Sequence, residues 1–338
     1  MRAGLFLAYW PWFTPEEQVS LAVLADELGL DSVWISEAWG QDAVSVLGLL
    51  AGKTSRVALG SGVMQIPARK PTMTAMAAAS LDVLSGGRFR LGLGLSGPHV
   101  SEGWYGEPFV KNLRRTREYV DVVRRALARE GVSLPLPEGE AGLGLGKPLK
   151  LLTAPVQERL PIYLGSIGPK AIVQVGEIAD GWLPAFLDPS QPEVLFDPLD
   201  EGLARAGRTR ADIDIAAGVA MSVDPDLEAA RNAVRPWVAF YLGAMGAKHA
   251  NFYVDLAERY GMGHHASEVQ EKFLAGDRLG AAQAVSDDLL DIVAVACTPD
   301  QVGARVAAFA SAGVNTLLAV PFGDREGTAR ALAAAVAA

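Results

Sequence analysis

Two stretches at opposite ends of the chain carry the same punctuation: Thr14-Pro15-Glu16-Glu17 and Thr298-Pro299-Asp300-Gln301. In each, a threonine stands where a side-chain oxygen caps a helix, and proline takes the first helical position. An acid or amide three residues on completes a capping box. Apolar stripes follow at helical spacing, Leu21, Leu24, Ala25 and Leu28 in one and Val302, Val306, Phe309 and Ala310 in the other. Both stop at a glycine, Gly29 and Gly313, and pass into an apolar run, Asp31–Ser36 and Asn315–Val320. Helix, glycine and strand in that order, repeated, are how a parallel sheet of βα modules reads.

The alternation continues between these ends. Strands are predicted over Ala3–Ala8, Arg56–Ile66, Arg88–Leu95, Pro161–Leu164, Gly181–Pro184 and Ala211–Val223, with helices over Asp42–Lys53, Thr72–Leu84 and Lys170–Ile178. With the two modules above the strands number eight, which closes a (β/α)8 barrel. Two regions break the rhythm: residues 131–158, rich in Gly, Pro and Leu, and residues 237–291, a long helical insertion. We expect both to be insertions in one domain spanning 1–338, and loops of that length are usually functional.

Half of the 338 residues are hydrophobic, enough for a sizeable core, and the net charge of −9 offers no basic face for nucleic acid. The apolar start is short and broken by Pro11, so neither a membrane span nor a signal peptide is expected. A single cysteine, Cys297, excludes internal disulfides, reads as a small core residue at a strand end, and fits a cytoplasmic protein. The four histidines, His99, His249, His264 and His265, show no metal spacing.

The fourth predicted strand alternates Phe89, Leu91, Leu93 and Leu95 with Gly92 and Gly94. Glycines on one face mean that something large approaches the backbone, either another element or a flat ligand. It enters Ser96-Gly97-Pro98-His99, a loop at a C-terminal strand end, where barrels of this class place their chemistry.

Several of these segments together resemble a known family. They are Asp31–Glu37, Leu59–Ile66, Leu81–Gly94, Ser96–Gly106, Leu113–Val120, Tyr163–Pro169 and Ile178–Trp182. The chain resembles the bacterial luciferase-like superfamily, and within it the branch of oxidoreductases that use the deazaflavin coenzyme F420, such as methylenetetrahydromethanopterin reductase. The resemblance implies a TIM barrel, hydride transfer between deazaflavin and a small organic substrate, and a homodimer. It also implies a cis peptide at Gly62–Val63, in a bulge that backs the middle ring of the cofactor. Gly62, Val63, Met64 and Gln65 are expected at that ring, with Ser96, Gly97 and Ser101 beside it. Gly165, Ser166, Ile167 and Gly168, leading into Pro169 at a helix start, make a natural phosphate site. Arg69 and Lys70 are candidates for an acidic cofactor tail.

The chain also departs from the family pattern. Ala38 stands where the deazaflavin dehydrogenases carry a histidine, and Pro98 lies near the place of a catalytic glutamate. A proton donor is therefore sought among Glu37, His99 and Glu102. His99 is favoured because histidine titrates nearest neutrality, with Glu37 as an orienting group. Where the family's sugar-phosphate enzyme holds its phosphate this chain has no basic residue, Ala185–Pro189 being apolar and acidic, so the resemblance implies a substrate other than a sugar phosphate. Two alternatives stay open: an FMN-dependent two-component monooxygenase of the same fold, and a flavin-binding barrel without catalysis.

Overall fold

The computed structural model describes residues 1–337 except 11, 137, 138, 247 and 249; Pro11 and His249 thus lie outside the described residues. The strands are β1 (Arg2–Leu7), β2 (Ser32–Ile35), β3 (Ala58–Ser61), β4 (Met64–Gln65), β5 (Phe89–Gly94), β6 (Ile162–Leu164), β7 (Gly181–Trp182), β8 (Asp214–Val223), β9 (Ala294–Cys297) and β10 (Thr316–Pro321). The helices are α1 (Pro15–Glu27), α2 (Ala43–Ala51), α3 (Pro71–Ser85), α4 (Asn112–Leu127), α5 (Pro169–Ile178), α6 (Glu193–Arg205), α7 (Leu227–Ala244), α8 (Phe252–Arg259), α9 (Gly263–Leu274), α10 (Arg278–Gln283), α11 (Asp287–Val293), α12 (Val302–Ala312) and α13 (Arg325–Ala337).

All strand pairings are parallel, and β10 closes the ring by pairing with β1 on one side and β8 on the other. β4 continues the line of β3, and β9 lies beside the end of β8, so the closed barrel has the eight strands expected. Cys297 ends β9, buried and unpaired. No helix among the described residues is long and apolar enough to cross a membrane.

The capping box at Thr14 and Glu17 forms as predicted. Its counterpart does not start a helix: Thr298–Gln301 is a turn, closed by the Gln301 side chain on the Thr298 amide, and α12 begins at Val302. The residue pattern predicts a third strand over Arg56–Ile66, which splits into β3 and β4 around a cis Gly62–Val63 peptide, the bond that the family resemblance implied. The helical insertion starts earlier than expected, at Leu227, because Asp226 caps α7 through the amides of Glu228 and Ala229. Among its described residues, the segment 131–158 carries one antiparallel bridge, Val132 with Leu149. Its far end is stapled to α3 by buried Asp82, which accepts from the Val156 amide at 2.7 Å and the Gln157 amide at 2.9 Å.

Inside the barrel Trp34, Tyr163, Leu183, Ala216 and Leu318 form a plug, with Phe6 and Val63 packed against it. Trp34 and Tyr163 meet edge to face at 4.9 Å. Glycine admits both rings: a Cβ on Gly60 would stand 2.2 Å from Trp34, and one on Gly181 2.1 Å from Tyr163. Below the plug, Arg90 and Arg2 pair with Asp31 and Asp214, and Asp214 also accepts from the Tyr163 hydroxyl at 2.8 Å. Charge therefore closes the N-terminal end of the barrel, and the C-terminal end is left open above Phe6 and Val63.

Candidate active site

A cavity of about 670 Å³ opens at the C-terminal ends of the strands, with Phe6 and Val63 among its walls. Three loops that line it leave their strands in backbone conformations L-residues rarely adopt: Ala38 after β2, Ser96 after β5 and Phe186 after β7 have φ of 47°, 61° and 56°. Such positions gather where a loop must aim groups at a site.

Glu37 lies at this cavity, buried, with both carboxylate oxygens engaged. Arg69 Nη1 donates to Oε2 at 2.7 Å and Nη2 to Oε1 at 2.5 Å. The Gln65 amide, just past the cis peptide, donates to Oε2 at 2.9 Å, and the Ala43 amide at the start of α2 to Oε1 at 3.4 Å. Arg69 also reaches Asp42, the N-cap of α2, at 2.6 Å. Burial alone would weaken the hold of Arg69 on its proton, but the Glu37 and Asp42 carboxylates outweigh it and raise that hold. Arg69 is thus occupied within the protein and is not free for an acidic cofactor tail. Lys70 sits exposed at the N-cap of α3.

The other predicted residues divide. Gly62, Val63, Gln65, Ser96, Gly97, His99, Gly165, Ser166, Ile167 and Gly168 all line the cavity. His99 is exposed and opens a π-helical turn, His99–Trp104. Met64, Ser101 and Glu102 do not line it: Met64 is in the core, the Ser101 hydroxyl donates to the Glu107 carbonyl at 2.8 Å, and Glu102 accepts from the Phe109 amide at 2.9 Å.

The Gly165–Gly168 loop is held by its carbonyls. Trp182 Nε1 donates to the Ser166 oxygen at 2.9 Å and Arg259 Nη2 to the Ile167 oxygen at 2.7 Å. Gly168 is the N-cap of α5 and no side chain caps it. Pro169 has no N–H and the Ala171 amide donates to the Gly168 carbonyl at 3.0 Å, so the Lys170 amide and the positive potential of the helix start are what this end offers an anion. Lys170 lies at the same corner of the cavity.

Sequence reasoning named Gln65 but missed Ser36, Asn112 and Thr116. Ser36 Oγ, Gln65 Oε1, Asn112 Oδ1 and Thr116 Oγ1 are buried polar atoms without a partner among the described residues, and all four residues line the cavity. Native proteins seldom leave such atoms unpaired, so their gathering here marks a place that water or a polar ligand completes. Asn112 and Thr116 stand four apart on α4, a polar pair on one helix face and the one local signal that pointed to them. The tyrosines of the opposite wall, Tyr9, Tyr241 and Tyr253, gave no such signal.

Comparison with known proteins agrees with this geometry. Residues 2–316 match the model of the family described as luciferase-like monooxygenase. Rv3520c of Mycobacterium tuberculosis, named provisionally as a coenzyme F420-dependent oxidoreductase, is 43% identical over 336 residues, 96% of each chain. The 5,10-methylenetetrahydromethanopterin reductase of Archaeoglobus fulgidus is 34% identical over 305 residues, covering 88% of this chain and 86% of that one. Among solved structures, the coenzyme F420-dependent tetrahydromethanopterin reductase of Methanopyrus kandleri superposes with a TM-score of 0.80 at 27% identity, covering 98% of both chains. With the closed barrel, the interrupted third strand and the cavity above it, the chain belongs to the luciferase-like monooxygenase family.

Proposed function

We propose that this chain is a coenzyme F420-dependent oxidoreductase that moves hydride between the deazaflavin and a small organic substrate. The observation that carries the reading is the polar half of the cavity, where four unpartnered buried polar atoms face an uncapped helix start. The donor set fits the group. Ser166, the start of α5 and Lys170 suit its phosphate, and Gln65, Ser36, Asn112 and Thr116 suit the edges of a polar ring. Val63 and Gly62 bound the space from below, and Ser96 and Gly97 from the side. Glu37 acts through Arg69 and the Gln65 amide, holding the bulge and α2 together. With both oxygens accepting, it is an anchor, not a proton donor.

When bound, the deazaflavin supplies hydride transfer from carbon, where a flavin would have nitrogen. The names of the relatives favour it over FMN. Titration of the purified protein, followed by quenching of cofactor fluorescence, is expected to give micromolar or tighter binding of coenzyme F420 and weaker binding of FMN. The reverse order would make the monooxygenase reading the correct one, and binding of neither would leave a barrel without this chemistry.

The same reading includes a homodimer in the cytoplasm. Met73, Met76 and Val83 form an exposed stripe along α3, joined by Leu84 and by Leu49 on the adjoining α2. An apolar face of this kind suits a second copy of the chain. Light scattering is expected to give twice the chain mass of 35.6 kDa. Met76→Glu is expected to shift it to one chain with little change in melting temperature. A monomeric wild type would remove the dimer from the reading.

A further inference from the structure

The two halves of the cavity differ in chemistry. The polar atoms described above come from the loops after β2 to β6 and from α4 and α5. The facing wall is built by the neighbouring sector of the ring, β7, β8, β10 and β1, together with the helical insertion. That wall is aromatic and continuous. Tyr9, after β1, lies 6.0 Å from Trp237 on α7, and Trp237 lies 4.7 Å from Tyr241 one turn on. Tyr241 meets Tyr253 of α8 edge to face at 4.8 Å, and Tyr253 meets Phe186 at 5.1 Å.

The placement of α8 is specified. Buried Asn251 accepts from the Tyr253 amide at 2.9 Å and donates to the Leu242 carbonyl at 2.7 Å, tying the start of α8 to the end of α7. One side chain therefore sets Tyr253 against Tyr241. Three phenols converge at this wall, and the Tyr9 hydroxyl makes a long contact, 3.8 Å, to the Met245 sulfur and lies within reach of the Tyr241 phenol. Among the described residues lining the cavity, the cationic or basic side chains are His99 and Lys170, and both belong to the polar half.

We propose, building on the cofactor reading above, that the substrate is an uncharged, largely apolar carbonyl compound or alcohol. Its oxygen bonds to the phenols of Tyr241, Tyr253 and Tyr9, and its carbon body lies on Trp237 and Phe186. An aromatic wall stabilises apolar surface removed from water, and three hydroxyls give one oxygen a choice of donors. A carboxylate or phosphate placed there has no cation to meet it, which costs heavily in a dry pocket. Burial, the largest cause, pushes all three phenols well above the ordinary tyrosine value, and outweighs the hydrogen bond with Tyr241 that lowers that of Tyr9. They stay protonated throughout the neutral range and offer donors, never a phenolate. This wall also accounts for the absence of a basic group at Ala185–Pro189, where Phe186 supplies a ring instead.

The test uses the cofactor-free full chain and three probes of similar size: acetophenone, benzoate and toluene, titrated calorimetrically. Acetophenone is expected to bind at least tenfold more tightly than benzoate. Tyr241→Phe and Tyr253→Phe are each expected to weaken acetophenone about fivefold, the worth of one hydrogen bond, and to leave toluene unchanged. Acetophenone affinity is expected to stay level from pH 6 to pH 9. Benzoate binding as tightly as acetophenone would overturn the uncharged class. An equal loss of toluene and acetophenone in the phenylalanine variants would overturn the phenols as partners and leave them as packing. The cofactor reading fails separately: acetophenone bound as expected without coenzyme F420 binding would sink that reading and keep this one.

Discussion

Replacing Glu37 by alanine is expected to lower the stability of the protein by about 3 kcal/mol, at the low end for breaking a buried ion pair. The loss falls at that end because Asp42 still faces Arg69. What is removed is the acceptor for the Gln65 and Ala43 amides as well as the partner of a guanidinium whose side chain is 17% exposed. Glu37→Gln keeps one acceptor oxygen without the charge and is expected to fall between alanine and wild type. Because the Gln65 amide follows the Gly62–Val63 bulge directly, coenzyme F420 affinity is expected to fall together with stability. Urea denaturation midpoints and cofactor titrations on the same samples measure both. An alanine variant of unchanged midpoint and vanished turnover would instead mean that Glu37 meets the substrate itself.

Glu37 illustrates what the sequence concealed. Its place at the end of the second strand was legible, because helix caps, glycine stops and apolar runs are local signals. Its partner was not, since Arg69 reaches it from the far side of the third strand and nothing in the spacing links them. The same limit explains the aromatic wall, assembled from the loop after β1 and an insertion that follows β8. Local punctuation also misled where two outcomes share one motif. Thr298-Pro299-Asp300-Gln301 satisfies its amide with a side chain as a capping box would, yet closes as a turn. The extent of the third strand was misjudged for a related reason: Val63, Met64 and Gln65 are good strand residues, and no local signal marks the break at Gly62. The resemblance to a family, and not the residue pattern, supplied the cis peptide.

Gly92 and Gly94 pose the sharpest remaining question, because the alternating pattern said that something approaches the backbone without saying what. On both glycines the approaching group belongs to the adjacent third strand. A Cβ on Gly92 would stand 1.9 Å from the Ser61 carbonyl oxygen, and Ser61 Oγ already exchanges hydrogen bonds with the Gly92 amide and carbonyl at 2.9 and 2.8 Å. Backbone cannot yield there, so Gly92→Ala is expected to leave no soluble folded protein. A Cβ on Gly94 would stand 2.5 Å from Val63 Cγ2, a side-chain atom. The other methyl of Val63 lies over Gly165, on which a Cβ would stand 3.0 Å away. The β-branched side chain of Val63 is also stiff at χ1. Gly94→Ala is therefore expected to fold with a loss of about 1–3 kcal/mol, the usual cost of overpacking. The displaced valine has the cavity to move into, and that is the space assigned to the deazaflavin ring. Coenzyme F420 affinity is expected to fall at least tenfold, whereas acetophenone, held at the opposite wall, keeps its wild-type affinity. A Gly94→Ala protein that binds the cofactor as wild type does would show that Val63 does not bound the ring, and the ring would then have to lie higher in the cavity.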